Sequence, residues 1–129
     1  MRKEINDRRD VSLLVRSFYE KVRDDKDLGP IFNGIIQDWE EHLEKLTDFW
    51  EMNLFGTKGY TGNPIAAHQH ADDLSGQKIT PYMFGSWLNH WFATIDEHFE
   101  GENAAILKRR ARKMQTILMV SIFEHRIKE

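Results

Sequence analysis

Apolar residues recur along this chain at intervals of three and four, and no convincing run alternates with a period of two, so the pattern predicts an all-α protein. The first helix starts near Asp10, a capping residue type, and carries Val11, Leu14, Val15, Phe18 and Val22 on one stripe, with Tyr19 at its edge. The charged stretch from Asp24 to Asp27 and the breaker Gly29-Pro30 end it. Ile31, Phe32, Ile35 and Ile36 then predict a short buried helical turn. A second long helix is expected from about Gln37 to Leu54. Helical spacing places His42, Lys45, Leu46 and Phe49 in one arc of it, flanked by Trp39 and Trp50.

A glycine-rich connector from Phe55 to Gly62 follows, then a short helix from Asn63 to about Ala71 and a loop from Asp72 to Lys78. Thr80-Pro81 is a strong helix start, a hydroxyl cap followed by proline at the first helical position. Beyond it Phe84, Trp87, Leu88, Trp91, Phe92, Ile95 and Phe99 form the stripe of a central core helix that Gly101 stops. The last helix runs from about Glu102 to the end and is expected to bury Ile106, Met114, Ile117, Leu118 and Ile122.

Composition narrows the reading. A length of 129 residues fits one domain, 1–129, without room for a linker. No apolar run approaches the roughly 18 residues that a membrane span requires. The mixed charge of the first ten residues shows no secretory signal, which makes the cytoplasm the expected location. The absence of cysteine excludes disulfides, thiolate metal sites and a cysteine nucleophile. A net charge of −3 argues against general affinity for nucleic acid or anionic membranes. Four Trp and eight Phe, many for this length, predict large flat apolar surfaces inside.

No zinc-protease pair, di-iron bundle pair, phosphate loop or dinucleotide glycine fingerprint is present. Lys108, Arg109, Arg110, Arg112 and Lys113 point around their helix and read as a solvated face. His90, His98 and His125, beside acidic or polar neighbours, are expected to face solvent. His42 shares an apolar arc and reads either as a core histidine or as a pocket group. His68, four residues after Pro64 and between two amphipathic helices, has the placement of an axial ligand for a flat apolar cofactor. Together with His70, Asp72 and Asp73 it also has the residue types of a divalent-metal site. The residues by themselves thus leave three classes open: a haem pocket, a non-haem metal-dependent enzyme using His68, His70 and Asp72, and a small helical interaction domain whose aromatics are only core.

The order Phe18-Tyr19-x4-Asp24-x2-Asp27-Leu28-x-Pro30-x-Phe32, then His42-x6-Phe49-Trp50, then Tyr60-Thr61-Gly62-x-Pro64-x3-His68, then Phe84-x2-Trp87-Leu88 resembles the truncated haemoglobins, most closely their third group. The resemblance runs from about Asp10 to Phe123. It implies a globin-like two-over-two helical sandwich holding haem b and binding the diatomic gases O2, NO and CO. Carried onto this chain, it makes His68 the proximal iron ligand and Phe32 the aromatic that stacks on the porphyrin. Tyr19, His42 and Trp87 become the lining of the distal side, and Lys45 the cation that reaches a propionate. Phe49 and Trp50 close the inner end, with Leu46, Phe84 and Leu88 in the apolar cradle. The loop after His68 reads as longer than usual in the group, and His70 stands two positions on; the spacing from Tyr60 and Pro64 favours His68. A pocket with polar distal donors implies tight gas binding, suited to nitric oxide and oxygen chemistry or peroxidase-like turnover rather than transport. That in turn implies an electron-donating reductase as partner.

Overall fold

The computed structural model describes residues 2–128. Among the described residues six helices are present: α1 Arg8–Asp24, α2 Leu28–Ile35, α3 Trp39–Phe55, α4 Pro64–Leu74, α5 Pro81–His98 and α6 Glu102–Lys128. Among the described residues the one β-type pairing is an isolated bridge between Lys3 and Phe99, and no helix is long and apolar enough to cross a membrane. The expected stripe of α1 is fully buried, and Tyr19 joins it. Its cap is Asp7 rather than Asp10: the Asp7 carboxylate accepts the Asp10 N–H at 3.1 Å, while Asp10 takes the Asn6 N–H and an ion pair from Lys3. Asp38, Asn63 and Thr80 cap α3, α4 and α5 through their side chains, and Pro64 and Pro81 open the latter two.

The segment from Asp72 to Leu74 is helical rather than loop, because α4 continues three residues past Ala71 and ends only at Ser75. On α6, Leu118 and Ile122 are buried as expected, whereas Ile117 is 43% exposed and Ile106 and Met114 are half-buried; the core face also runs through Ala104, Leu107 and Ala111. Two alanines on that face hide the period from a count of large apolar residues.

α1 packs on α3 and α5 on α6, and the two pairs meet through α1 with α5 and α3 with α6, which is a two-over-two sandwich. At the centre, fully buried Trp91 stacks on Trp50 at 4.5 Å and receives the edge of Phe18 at 5.0 Å. Its indole N–H donates to the Leu107 carbonyl at 3.2 Å, so one side chain joins α3, α1 and α6 to α5. Burial of this kind stabilises by roughly 2–3 kcal/mol per large side chain. The segment before α1, which has no apolar period, is pinned as well: Ile5 is fully buried, and the Glu4 carboxylate accepts the N–H groups of Glu102 and Asn103 at 3.0 Å each. An anion there also complements the positive end of α6. Outside the core, Arg8 bridges from α1 to Glu44, Asp48 and Glu51 of α3, and Arg16 to Glu40 and Glu44.

The corner between α1 and α2 depends on Asp25. One carboxylate oxygen accepts the N–H groups of Asp27 and Leu28 at 2.8 and 3.0 Å, and the other pairs with His90 Nε2 at 2.7 Å. His90 is therefore a tie between α5 and this corner rather than a free surface group. Gly29, buried at the corner, donates to the Asp25 carbonyl at 2.8 Å, and a methyl group on it would collide with the Arg23 carbonyl. Because that obstacle is backbone, Gly29→Ala should destabilise the fold by about 1–3 kcal/mol, measured as a lower urea midpoint with an unchanged slope. Gly34, whose added methyl would meet nothing, is the control and should tolerate Ala without loss.

Candidate functional site

Between the helices lies a mostly apolar cleft of about 360 Å³. The singled-out residues converge on it from five elements: Tyr19 of α1, Phe32 of α2, His42, Lys45, Leu46, Phe49 and Trp50 of α3, His68 of α4, and Phe84 and Trp87 of α5. The α3 arc read from helical spacing is thus one wall. Leu88 packs against the main core rather than the cleft. Ile31, Phe32, Ile35 and Ile36 are only half-buried, because they face the cleft, where Phe32 also packs against the main core. Sequence reasoning did not place Tyr60, Met83, Met114 or Gln115 at the site, although all four line it. Met83 precedes Trp87 by four residues on α5, and that i, i+4 spacing was the available signal.

His68 is held by its own helix. Its Nδ1 lies 2.7 Å from the carbonyl of Pro64, one turn back. A carbonyl only accepts, so Nδ1 carries the proton, and the ring is fixed with Nε2 unprotonated. Burial lowers the His68 pKa below its usual value, against the pull of that hydrogen bond, which keeps the ring neutral. His70 is exposed at the rim of the same cleft.

Across the cleft, His42 Nε2 is buried without a hydrogen-bond partner. Its ring stands edge-on to Tyr19 at 5.8 Å and to Trp39 at 5.7 Å. Burial first, then the charge of Lys45 and that of His68 once acid protonates it, push its pKa down to about 4. An unfolded chain takes up this proton near pH 6.5, whereas the fold resists it until about pH 4, so acidification through that window favours unfolding. His42→Leu should therefore unfold at lower pH than the unaltered chain, with the difference between the two accumulating from pH 6.5 down to 4. Acid-unfolding curves followed by circular dichroism measure it.

Tyr19 is buried, and burial raises its pKa, opposed by a hydrogen bond from Trp87. An indole N–H can only donate, so toward Trp87 the Tyr19 oxygen acts as an acceptor.

A metal site built on His68, His70 and Asp72 does not form. Asp72 is fully buried on the α6 side, with its two oxygens 2.8 and 2.6 Å from Arg126. Among the described residues no group of three His, Cys, Asp or Glu is arranged to hold an ion. The basic cluster is a solvated face: Arg109, Arg110, Arg112 and Lys113 are exposed, and Lys108 pairs with Asp96. His98 lies 3.9 Å from Glu97, and His125 lies 3.1 Å from Asp73.

Apolar walls, a neutral imidazole with its outer nitrogen available, and the exposed cation Lys45 beside the cleft fit a flat, mostly apolar cofactor with an acidic edge, which is the chemistry of haem. Six helices in a two-over-two sandwich around such a cleft define a protein of the globin class. Residues 4–123 match the family model described as bacterial-like globin. The group 3 truncated hemoglobin ctb of Campylobacter jejuni subsp. jejuni is 30% identical over 129 residues, spanning 97% of this chain and 98% of the relative. The crystal structure of group III truncated hemoglobin from Campylobacter jejuni superposes with a TM-score of 0.84, at 30% identity and 95% coverage of each chain. The chain belongs to the bacterial-like globins and, within them, to the group III truncated haemoglobins. Membership brings haem as the cofactor and the binding of diatomic gases as the general activity.

Proposed function

We propose that residues 1–129 are one globin domain that holds haem b through His68 and binds O2, NO and CO tightly beside Tyr19, in the cytoplasm, for nitric oxide and oxygen chemistry or peroxide removal rather than for transport. The observation that carries this reading is the pair of opposed imidazoles: His68 with Nε2 available on one side of an apolar cleft, and His42 with Nε2 buried and unpartnered on the other. Haem, when bound, supplies an iron with one open position for a diatomic gas.

The chain's own residues set what happens around it. The Pro64 carbonyl orients the His68 ring and, by accepting a hydrogen bond from Nδ1–H, enriches the electron density of the ligating nitrogen. Phe32, Leu46, Phe49, Trp50 and Phe84 exclude water and hold the cofactor by area burial, at roughly 25 cal/mol per Å². Lys45, exposed beside the cleft, would pair with a propionate. Tyr19 directs an O–H into the distal space, with Trp87 fixing its direction. His42, neutral at physiological pH, is an acceptor or a gate there. Turnover that oxidises the iron needs an electron-donating reductase to restore it.

Titration of the purified chain with hemin tests the reading: one equivalent should give a sharp absorption band at the blue end of the visible, which moves when the reduced protein meets carbon monoxide. Protein that stays colourless after mixing with hemin would leave the small helical interaction domain as the better reading.

A further inference from the structure

Among the other helices α4 packs substantially on α6 alone, and it is joined to α3 and α5 only by the irregular segments 56–63 and 75–80. The helix that carries His68 is therefore held by whatever fastens it to the C-terminal half of α6. That fastening is polar. Asp72, one turn beyond His68 and fully buried, accepts from Nε and Nη2 of Arg126 at 2.8 and 2.6 Å in a two-point contact. The same Nη2 donates to the carbonyl of Ile79 at 2.7 Å, just before the Thr80 cap of α5. The carbonyl of Asp72 in turn accepts the Gln77 N–H at 2.7 Å and the Ser75 hydroxyl at 2.8 Å, which winds segment 75–79 around the guanidinium. Weaker ties lie on either side: Gln69 donates to the Ser121 carbonyl at 3.3 Å, and Asp73 pairs with His125 at the surface.

We infer that Asp72 and Arg126 are positioning residues that fix the register and tilt of α4 on α6, and through it the direction in which His68 presents Nε2 to the cleft. The inference rests on His68 as the residue that holds haem. An apolar contact between the same helices would hold them together equally well but would permit sliding and rotation. A forked guanidinium locked on a buried carboxylate and on a backbone carbonyl does not. The two residues lie 54 positions apart and neither lines the cleft, so they act on it only through the helix.

The deciding variant is the double substitution Asp72→Leu with Arg126→Met, which removes the pair while filling its volume. Buried ion pairs replaced this way usually leave stability intact, so it separates holding the fold from aiming the histidine. In the haem-free chain, amide hydrogen exchange along α4 should become at least tenfold faster, while α5 and the first half of α6 stay as protected as before. The slowly exchanging His68 Nδ1 proton, seen by nitrogen-15 NMR, should weaken or disappear. In hemin-loaded protein the iron–histidine vibration should broaden or shift, at an unfolding temperature close to that of the unaltered chain. Asp73→Asn, which cuts only the surface pair, should change none of these.

Unchanged α4 exchange and an unchanged Nδ1 signal in the double variant would overturn the inference, whatever the temperature of unfolding. If the unaltered chain takes up no hemin, the gas-binding reading fails separately, and the haem-free exchange measurement still decides whether this pair orients α4.

Discussion

His68→Ala is expected to lower the affinity for hemin by more than about a hundredfold, with the sharp blue absorption band lost or badly distorted. Residues that merely orient a metal ligand are worth 10–100-fold, so the ligand itself should exceed that range. The apolar walls of the cleft remain in the variant and retain weak, non-specific hemin binding. Free imidazole, which fits the space left by the side chain, should recover part of the band. His70→Ala supplies the contrast. That residue is exposed at the rim and lacks the backbone partner that fixes the His68 ring, so its loss should leave the spectrum nearly unchanged. The opposite pair of results, a normal band in His68→Ala and a lost one in His70→Ala, would reassign the ligand.

That the place of His68 at the cleft is legible in the sequence, and the support of its helix on α6 is not, has a physical explanation. The Asn63-Pro64 start, with its side-chain cap and fixed φ, is a local signal, and it sets His68 one turn inside the helix. The Thr80-Pro81 start and the buried stripe of α1 are local in the same sense, as is the arc of His42, Lys45, Leu46 and Phe49 on α3. Asp72 carries no such mark. A carboxylate in a polar stretch reads as loop, and only a guanidinium 54 residues away makes it buried and helical. The same limit hid Ile5 and Glu4, whose role comes from docking on the start of α6, and Leu107, whose alanine neighbours mask the core face. His90 looked like a surface group until the fold brought Asp25 to it. Helical spacing brought the cleft residues onto common faces, but reading those faces as a haem pocket required the likeness to a family.

Tyr19→Phe should speed release of oxygen by about 10–100-fold and leave carbon monoxide release much less affected. Dioxygen takes up electron density when it binds and becomes a strong hydrogen-bond acceptor, whereas carbon monoxide stays weakly polar. A hydrogen bond to a charged acceptor contributes about 1.5–3 kcal/mol, and tenfold in affinity corresponds to about 1.4 kcal/mol. Most of that difference appears in the rate of leaving. Trp87→Phe should have a smaller effect of the same sign, because its indole N–H is spent on the Tyr19 oxygen and acts on the gas through the direction it imposes on that hydroxyl. In a chain lacking both groups the tryptophan substitution should add little, since there is no phenol left to orient. Stopped-flow measurements of oxygen and carbon monoxide release from the three variants supply the numbers. Equal acceleration for both gases in Tyr19→Phe would point to a steric role and remove the hydroxyl from the account of affinity.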